Sequence, residues 1–389
     1  MTGPLRIGFI PLVDAAALIV AVDKGFTAAQ GLEVELVREV SWSNVRDKLN
    51  IGMFDAAHLL APVAIASSLG LGHVKVPIAA PFNLGVNGNA ITVSPALHAA
   101  LMEEIDGDRF DPMATAQALS RVVAGRRKTG AEPLTFGTTF PFSTHNYQLR
   151  FWMAAAGVDP DEDVRLVVLP PPFMAESLAS GHVDAFCVGA PWNSVAVDLG
   201  IGHILHFVSD IVARAAEKVL AMRQTWSDRH PDTVASLVRA AAKAVAFIAD
   251  PENREETAQM LARPDRVGID AEVIRRVLDG RLKISPDGSV RESGRYLLIG
   301  REGAARPDPV QAAWLYAQMV RWDQTTLSAA GLKTAMGVFR PDLYDAALGE
   351  AGGSLASDRG PFEAFAGPAF EAENLRGYLD AFAIARRSR

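Results

Sequence analysis

The chain contains 389 residues, which is long for one domain and sufficient for two. Hydrophobic residues make up 49% of the sequence and charged residues 21%, so the chain can form a sizeable core and lacks the composition of a disordered protein. The formal net charge is −7, and no cluster of basic residues marks a nucleic-acid-binding surface.

Three features bear on the cellular compartment. Cys187 is the only cysteine, so no disulfide can form within the chain. The segment Met1–Ala16 lacks the basic stretch followed by an apolar stretch that marks a signal peptide. No apolar run reaches the roughly 18 residues that a membrane span needs. We therefore expect a cytoplasmic protein that does not enter a membrane.

The first 60 residues alternate between predicted strands and helices. Leu5–Leu12 is a short apolar strand, and Asp14–Leu32 predicts a helix that Asp14 caps. Leu32–Val40 alternates with period two, as a half-buried strand does. Ser41 caps the next predicted helix, and the "DAAHL" that follows predicts a third strand. This alternation is typical of an α/β sheet with mostly parallel strands.

The same rhythm returns in the middle of the chain. Strands are predicted at Leu134–Pro141, Val164–Pro172 and Val183–Trp192, with helices between them. The stretch Ser180–Pro191 is similar in pattern to Ile51–Pro62. We therefore expect an α/β protein with two similar lobes.

The remaining segments complete the predicted domain organisation. After residue 205 the chain becomes helical and amphipathic, which predicts helices packed on a lobe. Ser285–Pro309 predicts a polar surface excursion, and Gly349–Phe370 a mobile loop. We expect lobe 1 to comprise residues 1–95 plus 215–389, and lobe 2 to comprise residues 96–214.

The sequence favours a binding protein over an enzyme. It contains no G-x-S-x-G elbow, H-E-x-x-H pair, Walker loop or dinucleotide fingerprint. Polar turns instead follow several predicted strands, where α/β proteins hold ligands in the crevice at the carboxyl ends of parallel strands. Donors or ring edges in these turns are supplied by Ser41, Trp42, Asn87, Gly88, Asn89, Ser143, Thr144, His145, Gly189, Pro191, Trp192 and Asn193.

These turns suit a small anion. Free N–H groups at a helix N-terminus attract anions, and His145 in such a turn would add two N–H donors if it were protonated. A buried anion also needs a compensating positive charge, which Lys218 on a strand-like stretch could supply.

Structural interpretations of the same residues stay open on this basis. Ser143 and Thr144 could be plain helix caps, and Lys218 a solvated surface lysine. The rings of Trp42 and Trp192 could belong to the core or the lobe interface. His58 could be a hydrogen-bonded histidine at a strand end, and Cys187 a packed small hydrophobe.

Four stretches carry a family resemblance: Ser41–Pro62, Asn87–Ser94, Phe140–Asn193 and Glu217–Met222. They resemble the nitrate-binding-protein family, which includes the solute-binding components of nitrate and bicarbonate ABC transporters. The resemblance implies a two-lobed periplasmic-binding-protein-like fold of type II, with mixed, mostly parallel sheets and the ligand in the cleft between the lobes. It implies no enzyme activity, no cofactor and no metal.

The resemblance also implies contacts to the anion. Trp42, His145 and Lys218 correspond to family contacts, and Gly189 to a backbone contact, although Ala190 stands where the family usually has glutamate. Asn87 corresponds to a polar amide, with Asn89 as the alternative, and Glu217 leaves a one-residue uncertainty beside Lys218. Bicarbonate-binding relatives replace the lysine by an acidic residue and recruit calcium, so Lys218 favours nitrate or nitrite.

Three functions remain as hypotheses. The expected cytoplasmic location makes the chain similar to nitrate/nitrite sensors of the NasS type. Such a sensor sequesters the RNA-binding antiterminator NasT when it is free of ligand, and releases it on binding nitrate or nitrite. The first alternative is a solute-binding component of a nitrate or bicarbonate ABC transporter. The second is an enzyme resembling the pyrimidine-precursor synthases for thiamine, against which the single Cys187 counts.

Overall fold

The computed structural model describes residues 3–349 and 363–385. Its strands, in chain order, are β1 Leu5–Phe9, β2 Val34–Arg38, β3 Ala56–Leu60, β4 Ile78–Asn87, β5 Asn89–Val93, β6 Thr135–Thr138, β7 Arg165–Val168, β8 Ala185–Gly189, β9 His203–Phe207, β10 Ala216–Arg223, β11 Arg281–Lys283, β12 Val290–Glu292 and β13 Leu297–Leu298. Its α-helices are α1 Ala16–Asp23, α2 Trp42–Asn50, α3 Ala61–Leu69, α4 Pro95–Glu104, α5 Pro112–Thr129, α6 Thr144–Ala155, α7 Met174–Ala179, α8 Trp192–Asp198, α9 Val208–Ile211, α10 Gln224–Arg229, α11 Pro231–Ala249, α12 Arg254–Ala262, α13 Ala271–Asp279, α14 Pro309–Arg321, α15 Ala329–Val338, α16 Pro341–Leu348 and α17 Leu375–Asp380.

The first sheet has the strand order β13-β4-β10-β3-β1-β2. Strands β2, β1 and β3 are parallel, whereas β10 and β13 pair antiparallel with their neighbours. Both faces of this sheet are covered, because Leu220 and Met222 pack into one core and Val219 and Ala221 into the other. Such two-sided burial explains why β3 and β4 are buried at every position, whereas the edge strand β2 is partly exposed.

The second sheet repeats this arrangement with the order β7-β6-β8-β5-β9. Again three parallel strands are followed by antiparallel ones. The similar stretches Ile51–Pro62 and Ser180–Pro191 share a G-x-x-D-A pattern, whose aspartate has the same role in both halves. The carboxylate of Asp55 accepts the backbone N–H of Arg6 at 3.0 Å, and that of Asp184 accepts the N–H of Thr135 at 2.7 Å. Each aspartate therefore ties the third strand of its half to the first.

The chain passes between the two sheets at two places, directly between β4 and β5 and again between β9 and β10. Asn87 joins these two crossings. Its Nδ2 donates to the carbonyl oxygens of Ala213 at 2.9 Å and Arg295 at 3.0 Å, and its Oδ1 accepts the N–H of Ala215 at 3.0 Å. Asn87 also has a φ of 61°, a left-handed conformation that asparagine tolerates better than most residues. The two crossings are thus fixed to each other by one side chain.

The C-terminal residues contact both halves of the molecule. Helices α14 and α15 pack against α3, which follows the first sheet's β3. Further on, the carbonyl oxygen of Glu363 accepts from Ala213, and Phe365 donates its N–H to Ile211, so the chain pairs with the second crossing. The rings of Phe365 and Phe382 meet Phe151 on α6 of the second half. Over the described residues, no helix combines the length and the apolar character needed to cross a membrane.

The predicted α/β fold is confirmed, whereas some element predictions were wrong. The helix expected over Asp14–Leu32 is shorter, because α1 ends at Asp23 and a separate turn follows. The excursion expected over Ser285–Pro309 is not wholly at the surface, since Leu297 and Leu298 form β13 beside β4 and are buried. Most of the loop expected over Gly349–Phe370 lies outside the described residues.

Replacing Asn87 tests whether this side chain fixes the crossings. We expect Asn87→Ala to lower the free energy of unfolding by about 2–4 kcal/mol, because it leaves buried backbone groups unpaired and forces alanine into a left-handed conformation. Asn87→Gly, which keeps that conformation accessible, should cost less. Denaturant unfolding measures both variants. An alanine variant as stable as the parent protein would contradict this role.

Candidate functional site

Lys218 lies at the centre of a buried cluster between the two sheets. Its Nζ is 3.0 Å from Oδ2 of Asp14 and 3.0 Å from Oε1 of Glu217, and all three side chains are buried. Burial opposes the charged lysine, but the two carboxylates outweigh it and raise the pKa of Lys218. The ammonium group is therefore charged, and both of its partners are acids.

His58 holds Asp14 in its ionised form. The backbone N–H of Ile10 donates to Nδ1 of His58, so the proton of the neutral ring lies on Nε2, which is 2.9 Å from Oδ1 of Asp14. Burial raises the pKa of Asp14, but Lys218 and His58 overcome this effect and bring it to about 2. The pKa of His58 itself is lowered, mainly by burial. His58 is thus a hydrogen-bonded histidine, and it orients the lysine's main counter-ion.

A bulge in β10 places both Glu217 and Lys218 in the cluster. Consecutive side chains of a regular strand point to opposite faces of a sheet. The pairing of β10 with β4 shifts register between Ala216 and Lys218 and again between Lys218 and Val219. Such irregularities re-aim side chains, which allows two neighbours to face the same site. Both Glu217 and Lys218 therefore lie in the cluster, although a regular strand would direct only one of them into it.

His145 enters the cluster from the second half of the molecule. It lies at the start of α6, and its Nδ1 is 3.1 Å from the hydroxyl of Thr139 and 3.4 Å from Oε1 of Glu217. Burial, reinforced by Lys218, holds the pKa of His145 well below its usual value. The protonated ring that would supply two N–H donors is therefore disfavoured, because a second buried cation beside Lys218 is too costly. A neutral ring has one N–H, and its Nε2 makes no hydrogen bond to a described residue.

Of the two candidate amides, the structure brings Asn89 to the site and not Asn87. The side chain of Asn87 is fully engaged with backbone groups at the crossings. Asn89 pairs with Gly189 across β5 and β8, and both atoms of its amide are buried without a well-formed hydrogen bond to any described residue. A Cβ on Gly189 would lie 3.3 Å from Oδ1 of Asn89 and 3.7 Å from Oδ2 of Asp14. The absence of a side chain at Gly189 therefore leaves room beside the cluster.

Trp42 covers the lysine. Its ring centroid is 5.4 Å from Nζ of Lys218 and 5.4 Å from the ring of His58. An ammonium group at that distance from an indole is attracted to the ring face. The indole Nε1 is buried and makes no hydrogen bond within the described residues. Trp42 is therefore both a wall of the site and a donor that protein groups leave unused.

The remaining candidates surround the cluster. Ser143 accepts the N–H of Asn146 at 3.1 Å, as a helix cap does, and Ser41 accepts that of Asn44 at 3.3 Å. Trp192 donates to the carbonyl oxygen of Pro11 at 3.3 Å and so links the turns after β8 and β1. Thr144 and Cys187 are buried, and burial raises the pKa of the Cys187 thiol well above its usual value.

Sequence reasoning missed the roles of Asp14 and Glu217. Asp14 had the appearance of a helix cap, but its side chain bonds to His58 and Lys218 instead. The sequence signal for Asp14 was a buried strand ending just before an acid, at the edge where parallel strands expose their carboxyl ends. Among the described residues, no group of three or more His, Cys, Asp or Glu side chains could hold a metal ion.

The arrangement provides unused donors from several directions. Buried polar groups are normally hydrogen-bonded, so those without protein partners mark a site for water or a ligand. Those around Lys218 are Nε1 of Trp42, the amide of Asn89 and Nε2 of His145, and they belong to both sheets and the helices that follow them. Such a set suits a small molecule that accepts hydrogen bonds on several sides.

The fold is the two-lobed fold of solute-binding proteins, with the buried cluster between its lobes. Residues 2–262 match the NMT1-like family, and the chain belongs to that family. It is 31% identical over 388 residues to the nitrate/nitrite binding protein NrtA of Synechococcus elongatus, covering 97% of this chain and 85% of that protein. The crystal structure of the periplasmic nitrate-binding protein NrtA from Synechocystis PCC 6803 superposes with a TM-score of 0.89, at 27% identity and over 98% of both chains.

A further relative is longer than this chain. The nitrate import ATP-binding protein NrtC of Synechocystis sp. is 33% identical over 388 residues, covering 98% of this chain and 55% of that protein. The chain therefore spans about half the length of NrtC.

The buried Glu217 should make stability depend on pH. Burial is the main cause that raises the pKa of Glu217 from 4.5 to about 7, against the opposing effects of Lys218 and Asn89. Between these values the folded protein binds more protons than the unfolded chain, so its stability rises as the pH falls. We expect Glu217→Gln to raise the melting temperature by a few degrees at about pH 8.5 and by much less at about pH 5.

An exposed glutamate serves as the control for this measurement. Glu256 pairs with Lys24 at the surface, and Glu256→Gln should change the melting temperature little at either pH. An equal gain at both pH values for Glu217→Gln would show that Glu217 is not protonated in the folded protein over this range.

Proposed function

We propose that this protein binds nitrate or nitrite between its two lobes as the solute-binding component of an ABC transporter. The observation that carries the proposal is a buried cluster in which Nε1 of Trp42, the amide of Asn89 and Nε2 of His145 make no well-formed hydrogen bond to a described residue. These groups lie around the charged Lys218, which two acids already contact. The names of the relatives support it, since NrtA is a nitrate/nitrite binding protein and NrtC a nitrate import protein. No step of this function is a chemical reaction of the anion.

Nitrate fits the donor set chemically. It is planar, carries one negative charge and only accepts hydrogen bonds, so it requires donors from several directions. The indole N–H of Trp42, the amide of Asn89 and the Nε2 of His145 are neutral donors, and Lys218 is a charged one. Neutral donors with fixed positions discriminate by shape, which favours a planar trigonal anion over a spherical one.

Binding would also hold the lobes together. Direct bonds already cross the cleft, since Val13 donates its N–H to the carbonyl oxygen of Ala190 at 2.9 Å. Trp192 makes a second such bond to Pro11, and His145 reaches Glu217. An anion that contacts Trp42 on one side and His145 on the other stabilises this closed arrangement over an open one. Binding of the anion and closure of the lobes are therefore thermodynamically linked.

The two neighbouring asparagines provide a matched test. We expect nitrate to bind in isothermal titration calorimetry, and Asn89→Ala to weaken the affinity at least tenfold, because one charged or buried hydrogen bond is worth about 1.5–3 kcal/mol. Asn87→Gly should lower stability but keep the affinity of the folded protein within about twofold. Equal weak heats for nitrate, nitrite, bicarbonate and chloride would reject the anion assignment. Loss of affinity in the Asn87 variant alone would place the site elsewhere.

A sensor that acts on the antiterminator NasT is a second candidate function. The C-terminal chain favours it, because residues 363–365 pair with Ile211 and Ala213 in the second crossing between the lobes. The rings of Phe365 and Phe382 also contact α6, whose first turn carries His145. A change in lobe arrangement would therefore change the surface that this chain presents. Such coupling requires the anion to favour one lobe arrangement.

A direct binding measurement separates the two functions. If the protein is the sensor, we expect purified NasT to form a complex with it in the absence of nitrate, and nitrate at saturation to weaken that complex at least tenfold. Sulfate at the same ionic strength is the control for salt screening. If NasT forms no complex, or a complex that nitrate does not change, the sensor function is rejected and the transport function remains as the proposal.

A further inference from the structure

The charges of the buried cluster do not favour an anion when every acid is ionised. Lys218 is the one buried side chain in the cluster that carries a positive charge, since burial keeps the rings of His58 and His145 neutral. Asp14, with its low pKa, cancels that charge. An ionised Glu217 therefore gives the cluster a net charge of −1 before any ligand is bound. A second buried negative charge would be repelled at these distances.

Glu217 lies within the anion site itself. Its Oε1 is 3.0 Å from Nζ of Lys218 and 3.4 Å from Nδ1 of His145, the two groups proposed to bind the ligand. Its Oε2 is buried and makes no hydrogen bond of good geometry to any described residue. The carboxyl group thus connects the lysine of one lobe with the histidine of the other, and the amide of Asn89 also acts on it.

We propose that the anion binds together with one proton, and that Glu217 accepts this proton. The inference rests on the proposed function, because it concerns the same cleft. The ligand class becomes a monovalent oxyanion plus a proton. Protonation of Glu217 brings the net charge of the cluster from −1 to 0, and the bound nitrate then faces a lysine that Asp14 alone neutralises. In this step the site takes up one nitrate and one proton, and the O–H bond on Glu217 is the only covalent bond that forms.

The proton also decides which nitrogen of His145 can donate. When Glu217 is ionised, the best place for the ring proton is Nδ1, facing Oε1 at 3.4 Å, and Nε2 becomes an acceptor that repels nitrate. When Glu217 is protonated, Nδ1 can accept, either from the carboxyl O–H or from the hydroxyl of Thr139 at 3.1 Å. The ring proton then lies on Nε2 and points to the ligand. One proton thus removes a charge and supplies a donor.

Other groups near Glu217 do not provide this proton. The side chains that act on Glu217 are Asp14, Asn89, His145, Cys187 and Lys218, and His58 lies behind Asp14. Asp14 and Lys218 remain ionised near neutral pH, and the two histidines remain neutral. The Cys187 thiol stays protonated because burial raises its pKa well above the usual value. Glu217, with a pKa of about 7, is left as the group that titrates near neutrality.

Anions that carry their own proton should behave differently from nitrate. Hydrogencarbonate carries the same charge as nitrate, but it can donate its O–H to Oε2 of an ionised Glu217, so its binding should require less proton uptake from solvent than nitrate binding does. Nitrate has no proton and depends on Glu217 for it. The acid therefore affects which of the two anions the site prefers at a given pH, with nitrate favoured at low pH and hydrogencarbonate gaining as the pH rises.

Calorimetric titration of sodium nitrate at several pH values tests the inference. We expect the affinity to fall about tenfold per pH unit above about pH 7.5, which corresponds to uptake of one proton per nitrate. Titrations in buffers with different ionisation enthalpies should report about one proton taken up at about pH 8. Sodium bicarbonate, titrated in the same way, should show less proton uptake than nitrate.

Variants identify the titrating group. Glu217→Gln keeps the shape but cannot ionise, and we expect it to bind nitrate with an affinity that does not change with pH. Glu256→Gln, at the surface, should keep the pH dependence of the parent protein. In nitrogen-15 spectra of the imidazole rings, nitrate should move the His145 proton to Nε2 in the parent protein.

The outcomes separate this inference from the function on which it rests. Nitrate binding to the parent protein that is equally tight across the pH range would overturn the proton coupling and leave the nitrate-binding function intact. A pH dependence that persists in Glu217→Gln would also overturn it, because another group would then take up the proton. No binding of nitrate at any pH would remove both proposals.

Discussion

The junction of the two lobes depends on one buried lysine shared by two carboxylates. Lys218 touches Asp14 and Glu217 at 3.0 Å each, and all three are removed from water. A buried ion pair is costly to form and still more costly to break, because an unpaired charge in the interior loses its hydration without compensation. Each surrounding element is constrained by this requirement: His58 must direct Nε2–H to Asp14, and Trp42 must place its ring against the ammonium group.

The same requirement bears on the proposed closure of the lobes. Asp14 and Lys218 belong to the first sheet and its turns, whereas His145 begins a helix of the second. Glu217 is the link, since its Oε1 contacts both Lys218 and His145. Opening the cleft would separate His145 from Glu217 but leave the pair of Asp14 and Lys218 intact. The ion pair of Asp14 and Lys218 thus stays within one lobe, and the other lobe contributes only neutral donors. Separating neutral groups costs less free energy than separating a buried ion pair.

The sequence allowed prediction of the fold and of most residues that the structure brings together in the candidate site, because both follow from local patterns. Period-two strands, helix caps such as Ser143 and polar turns at strand ends indicated a two-lobed α/β protein with the site between the lobes. Asn87 and Asn89 could not be separated, since the two are only two residues apart and the crossing between the sheets falls between them. The bulge at Glu217 depends on how β10 pairs with a distant strand, which no local pattern reveals.

The charge state of the site was the least predictable property, and it is the one that governs selectivity. From residue types, a lysine and a histidine suggest a positively charged anion trap. In the folded protein, burial keeps His145 neutral and two acids surround Lys218. A positively charged pocket would hold any anion, including abundant chloride, by charge alone. A pocket without net positive charge must instead select by the positions of its donors. In the proposed function, Trp42, Asn89 and His145 would therefore discriminate between anions, while the protonation of Glu217 beside Lys218 would decide the charge that the ligand meets.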